Sequence, residues 1–293
     1  MNRYVGRVTS PPRFDLVCEI EPPTRPDLRH VRHQIGVLAP VARSFLIPDN
    51  HVGRPTVSSI AVAHEVSAMG GSSIACLNSR DRNLLGFRRD MLTAAAYGVG
   101  EFLFVHGDKP VAGSRTGELT VRAMIDEARR MTDEPAFAGT PPFRIGVTAG
   151  TRPLPAWKLG ADFFFCQVNY STEALLRWRE STDVTGPVYA GVMVLASAAM
   201  ARRLAAAIPD IQIPDALVAE VSRDPQVGID AACTQVLQLR DSGAFDGVHL
   251  VPVSKYREVA LRLERDLTRM SSWPTWASLT RQDHRPSAGP SAP

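Results

Sequence analysis

The sequence is poor in lysine, in paired cysteines and in long apolar runs, and each shortage removes a class of protein. Only three of its basic residues are lysines against thirty arginines, and with 30 acids the net charge is +3, with no long basic run. A nucleic-acid surface is built from clustered cations, so no nucleic-acid partner is expected. The four cysteines, Cys18, Cys76, Cys166 and Cys233, stand far apart without a C-x-x-C pair. That spacing argues against a metal site and for buried free thiols in a reducing compartment. The apolar runs fall far short of the roughly 20 residues of a membrane span. The N-terminus has no basic-then-apolar signal pattern, so the expected location is the cytoplasm, with no membrane partner. No G-x-G-x-x-G follows the first apolar run, which argues against a Rossmann domain.

What the chain does have is material for one large core: 293 residues, 44% of them apolar. Short apolar runs occur at 14–20, 44–48, 73–78, 102–106, 143–148, 162–168, 188–194 and 248–253. Amphipathic stretches at 27–38, 57–68, 82–97, 119–131, 172–179 and 197–208 lie between them, followed by an insertion holding 214–221 and 229–242 and a last helix at 254–269. Eight strands alternating with helices predict an α/β fold, a single (β/α)8 TIM barrel with a parallel sheet closed on itself. Residues 1–270 form that catalytic domain in this reading, and the Pro/Ser-rich stretch 271–293 is a tail with too little apolar surface to order itself. The connection 151–160 leaves room for barely two helical turns.

The first run, Phe14-Asp-Leu-Val-Cys-Glu-Ile-Glu-Pro-Pro23, ends in two carboxylates and is stopped by two prolines. Read as a strand, it delivers Glu19 and Glu21 to its C-terminal tip, where alternation puts both on one face. Two carboxylates held close rarely both stay ionised. The plainer reading is a strand that simply ends in polar residues. In a parallel barrel, however, the C-terminal strand ends form the active face, and here they are polar nearly all round. The second run is followed by Asp49, Asn50, His51 and Arg54, and the third by Asn78, Arg80, Asp81, Arg82 and Asn83. The fourth leads into His106-Gly-Asp-Lys-Pro110, the fifth offers Thr148 and Arg152, the sixth Gln167, Asn169 and Tyr170, and the eighth Ser254 and Lys255.

Three of these segments, Cys-Glu-Ile-Glu-Pro-Pro, His-Gly-Asp-Lys-Pro and Gly160-Ala-Asp-Phe-Phe-Phe-Cys-Gln167, resemble the F-E-F-x-P-P, R-G-D-x-P and G-A-D-x-x-x-x-Q segments of the methylenetetrahydrofolate reductase family, in the same order. The resemblance runs from about Arg13 to Arg269. It implies that Glu19 is the acid that protonates N10 as the five-membered ring of 5,10-methylenetetrahydrofolate opens to an N5 iminium. It further implies that Asp108 and Gln167 hydrogen-bond the pterin. Glu21, Asn78 and Tyr170 are added as substrate contacts, and Asn50, Arg54, Arg80, Arg82 and His106 as candidate contacts for a dinucleotide, the first four being equally suited to the glutamate tail of the folate.

The departures fall on the flavin. Family members hold FAD with a threonine after the second strand, a histidine in the third, an arginine before the Gly-Asp of the fourth and a basic helix after the fifth. This chain has Pro48, Cys76, His106 and the shortened 154–160 segment at those places. The expectation is therefore direct hydride transfer from NADH or NADPH to the iminium, without bound FAD. The competing expectations are a conventional FAD-dependent reductase, a barrel methyltransferase using methyltetrahydrofolate, and a folate-binding protein without redox activity. Homo-oligomerisation is left open by the sequence.

Overall fold

The computed structural model describes residues 14–268 apart from 115, 151, 209 and 210. The expected tail at 271–293 lies outside the described residues. Eight parallel strands close in sequence order into a barrel: β1 Asp15–Glu19, β2 Ser44–Ile47, β3 Ser72–Asn78, β4 Glu101–Val105, β5 Arg144–Ala149, β6 Phe163–Cys166, β7 Val188–Met193 and β8 Gly247–Val251. Closure is made by β1 pairing with β8, Val17 standing opposite His249. All eight runs read from the sequence are strands.

Strand alternation sorts the side chains. Leu16 and Cys18 of β1 and Val248 and Leu250 of β8 pack outward under the helices. Val17, Leu46, Ile74, Cys76, Leu103, Phe163 and Phe165 fill the barrel interior. Gly146 of β5 makes room for this filling, since a Cβ there would stand 1.9 Å from the Phe163 ring. The barrel interior is thus a packed core, with a cavity at its mouth.

The outer helices are α1 Arg29–Leu38, α2 Ser59–Ala68, α3 Leu84–Ala96, α4 Val121–Thr132 and α5 Thr172–Glu180, then α6 Ala198–Ala207, α7 Asp215–Arg223, α8 Gln226–Ser242 and α9 Tyr256–Thr268. Their entry points follow from short polar side chains. Ser58, Asn83, Thr120, Ser171 and Ser197 each accept a hydrogen bond from a first-turn N–H, satisfying a donor the helix itself leaves open. In α1 the spacing of Val31, Ile35 and Leu38 buries one stripe against the sheet. Glu127 of α4, only 2% exposed, is tolerated because Arg88 and Arg130 both pair with it.

Two departures from a regular barrel matter. Between β5 and β6 the described connection holds only a 3-10 turn, Ala156–Lys158, as the shortness of 151–160 required. After β7 the insertion places α6 and α7 in a satellite cluster built on Leu195, Met200, Ala201 and Val221.

Candidate active site

At the mouth of the barrel is a cavity of about 310 Å³. Its floor is Leu46, Cys76, Leu103 and Phe165, and its polar side chains are Glu19, Asp49, His51, Asp108, Thr148, Gln167 and His249. Three residues singled out from the sequence, Glu19, Asp108 and Gln167, therefore converge on one space from β1, the β4 tip and the β6 tip.

Glu19 ends β1 with its side chain 17% exposed, and His249 of β8 approaches it, Nε2 to Oε2 3.3 Å. The approach is within ion-pair range but not aligned as a hydrogen bond, so Nε2 is buried without a hydrogen-bond partner. The imidazole is held edge-on to Phe165, centroids 5.3 Å apart. His249 went unnoticed in the sequence, although its signal was there. In Gly-Val-His-Leu-Val it is the polar residue at the inward parity, between Gly247 and Val251.

Asp108 sits on a loop whose shape depends on its neighbour. Gly107 has φ +88, and a Cβ on it would lie 2.8 Å from Asn78 Cβ. A larger residue would collide and also be strained. The Asp108 carboxylate accepts the Val52 N–H at 2.8 Å, while Gly53 O accepts the Val111 N–H at 2.9 Å. The β2 and β4 rim loops are thereby clasped together. Val52 is held at φ 58, a costly conformation for a β-branched residue, so the clasp stores strain beside the cavity. Gln167 lines the cavity, donates its backbone N–H to Ala149 O at 2.7 Å, and makes no side-chain hydrogen bond among the described residues.

The remaining sequence candidates lie elsewhere. Glu21 does not line the cavity. The ladder runs one residue past Glu19, Ile20 N–H donating to Leu46 O at 2.9 Å, and Glu21 beyond it is exposed, its backbone bracketed by the Gln34 amide at 3.4 Å in both directions. Asn78 and Arg82 belong to a buried network. Asp49 accepts Asn78 N at 2.9 Å and Nδ2 at 2.7 Å together with Arg82 Nη1, and Arg82 Nε donates to Asp90 at 2.8 Å. The Asp49 and Asp90 carboxylates beside it raise the Arg82 pKa against the opposing effect of burial. Asn50 donates to Asp81 at 3.0 Å and so ties the same loops.

Arg54 and His106 are exposed and do not line the cavity, His106 Nδ1 standing 3.4 Å from Ser79 Oγ. Arg80 does not line it either, but its Nε and Nη1 are sealed without a hydrogen-bond partner among the described residues. Tyr170 packs into the satellite cluster, where burial pushes its hydroxyl pKa up. Among the described residues no cluster of acids, histidines and cysteines forms a metal site, and no helix is long and apolar enough to cross a membrane. All four cysteines are free and buried.

The sequence profile of methylenetetrahydrofolate reductase matches residues 157–265, from the β5–β6 connection into α9. Over that stretch, a little over a third of its length, the chain is similar to the methylenetetrahydrofolate reductase family. The matched part contains Gln167 and His249, while Glu19 and Asp108 lie outside it. No curated protein matches the sequence. Among solved structures, a protein from Clostridium thermocellum described as binding two copies of 5-methyl-5,6,7,8-tetrahydrofolic acid superposes with a TM-score of 0.61 at 12% identity, over 89% of this chain and 97% of the other. EDTA monooxygenase from Chelativorans sp. BNC1 superposes at 0.57 and 11% identity, over 89% and 95%. At such identities these likenesses speak for the fold.

Of the places where the family resemblance puts flavin contacts, Pro48 lines the cavity and offers no side-chain donor, Cys76 stands at the interior position of β3, and His106 is exposed and does not line the cavity. The helix that would follow β5 is reduced to the turn Ala156–Lys158.

Proposed function

We propose that this protein reduces 5,10-methylenetetrahydrofolate to 5-methyltetrahydrofolate with NADH or NADPH as the direct hydride donor. The observation that carries the reading is the convergence of Glu19, Asp108 and Gln167 on one small cavity. Gln167 offers a donor and an acceptor, matching the amide-like edge of a pterin. Asp108, fixed by the Val52 N–H, supplies a preorganised negative charge. Such a charge stabilises a cation more than its neutral precursor and therefore favours the transition state.

In the first step the bond between N10 and the bridging methylene breaks, N10 takes a proton from Glu19, and the methylene becomes an N5 iminium cation. A reduced nicotinamide bound beside the pterin supplies the hydride that turns the iminium carbon into a methyl group, leaving oxidised nicotinamide. The net reaction consumes one proton, which must return to Glu19 between turnovers, and His249 is the group placed to exchange it. The packed floor of Leu46, Leu103 and Phe165 keeps water from the iminium. Holding donor and acceptor side by side accounts for much of the rate, since alignment alone can supply roughly 7–11 kcal/mol.

The test is NADH oxidation dependent on methylenetetrahydrofolate, run on purified protein with no flavin added and followed by identification of 5-methyltetrahydrofolate. Activity that appears only on adding FAD would return the chain to the flavin-dependent reading. Tight binding of 5-methyltetrahydrofolate with no turnover would leave a folate-binding protein.

A further inference from the structure

A second cavity of about 310 Å³ opens between the tips of β5 and β6 and the helix α5. It shares Cys166, Gln167 and Val168 with the cavity at the mouth, so the two compartments adjoin at the tip of β6. Its existence follows from the shortened connection after β5. With only the turn Ala156–Lys158 there, one face of α5 lacks the neighbouring helix a regular barrel would lay on it. Ala174, Trp178 and Ser181, spaced by about one helical turn, line the space instead.

We infer that this second compartment holds the adenylate half of the dinucleotide while the pterin occupies the mouth, an assignment that rests on the reductase reading above. Direct hydride transfer requires donor and acceptor to be bound together. One compartment of this size is at the bottom of the roughly 300–1,000 Å³ range of small-molecule sites, too small for a pterin and a whole dinucleotide. The chemistry of the walls suits the assignment. Trp178 gives an aromatic surface for a base, and every base has a face to stack on. Gln212 carries an amide, the side chain that pairs two-point with adenine, and makes no side-chain hydrogen bond among the described residues.

Arg177 is the cation at this compartment. It is exposed and makes no ion pair within 4.0 Å among the described residues, its charge acting only at longer range on Glu173, whereas the adjacent Arg179 is spent on Ala244 O and Thr182 O. A guanidinium on a cavity wall that no close ion pair holds is suited to two-point binding of phosphate. The other occupant the cleft would accept is the aminobenzoyl-glutamate tail of the folate, and the experiment separates the two.

The probe is ADP-ribose, which has the adenylate and pyrophosphate but no nicotinamide, titrated calorimetrically into the full chain with and without saturating 5-methyltetrahydrofolate. Simultaneous binding of both is expected. Arg177→Ala, on the surface and so harmless to folding, should weaken ADP-ribose roughly ten- to a hundredfold and raise the KM for NADH. Arg177→Lys should recover part of the loss, and 5-methyltetrahydrofolate should bind as in wild type. If Arg177→Ala weakens 5-methyltetrahydrofolate and spares ADP-ribose, the compartment belongs to the folate tail and the proposal is wrong. It is equally wrong if the two ligands compete or if neither responds. A wild-type protein without methylenetetrahydrofolate-dependent NADH oxidation would sink the reductase reading, whereas Arg177-sensitive ADP-ribose binding would still locate the adenylate subsite.

Discussion

Glu19 and His249 face each other across the seam that closes the barrel, with Oε2 and Nε2 3.3 Å apart and both side chains less than one-fifth exposed. They come from the first and last strands, so closure itself creates the pair. Glu19→Gln keeps size and much of the hydrogen bonding but removes the transferable proton. Turnover should fall roughly 10²–10⁴-fold with pterin binding retained. Glu21→Gln should behave as wild type, because Glu21 points to solvent. A Glu19→Gln enzyme keeping more than about half its rate would end the case for general acid catalysis.

His249→Asn tests the other member of the pair. If His249 exchanges the proton with Glu19, the variant should turn over roughly tenfold or more slowly, with a displaced pH–rate profile and near-normal affinity for 5-methyltetrahydrofolate. A purely structural histidine would lower the melting temperature and leave the shape of the profile unchanged.

Arg82 separates a structural role from a ligand-binding one. Its side chain is 13% exposed and that of its partner Asp49 5%. Arg82→Ala leaves the buried Asp49 carboxylate with its Asn78 hydrogen bonds but no countercharge, which should cost about 3–5 kcal/mol in denaturant unfolding. The KM for NADH of the protein that remains folded should barely move. A large KM effect with unchanged stability would restore Arg82 as a dinucleotide contact.

Gly107→Ala probes the support of Asp108. The left-handed backbone, φ +88, costs a non-glycine residue about 1–2 kcal/mol. The new methyl would also press on Asn78 at 2.8 Å. Loss of stability should therefore accompany weaker 5-methyltetrahydrofolate binding, as Asp108 is pushed off its position. Stability lost without loss of affinity would show that the loop does not position Asp108.

The thiols give a prediction about pH. Burial pushes the pKa of Cys233 up to about 12 and those of Cys18, Cys76 and Cys166 upward as well. Since the thiolate is the reactive form, the native protein should resist a disulfide reagent at pH 8, and all four thiols should react once it is unfolded. Rapid native labelling of Cys76, which lines the cavity yet is only 5% exposed, would show that the mouth opens wider than its resting shape.

The eight strands, their order and the abbreviated link before β6 were legible in the chain because they rest on local signals: runs of β-branched and aromatic residues, short polar caps and the length of one connection. The approach of Glu19, Asp108 and Gln167 to the mouth was legible too, since strand tips of a closed parallel barrel share one rim. What the sequence did not contain was the competition among rim residues for one another. Asn50, Asn78 and Arg82 have the composition of a ligand site, but Asp49, Asp81 and Asp90 engage them first, and only distances show which polar groups are already satisfied. Alternation alone pairs Glu21 with Glu19, but Glu21 stands at the exposed rim outside the cavity lining, and how far a strand-tip residue lies from the cavity is set by the rim around it. The Glu19–His249 pair joins residues 230 positions apart, and it exists because the barrel closes β1 onto β8, a relation that no local pattern encodes.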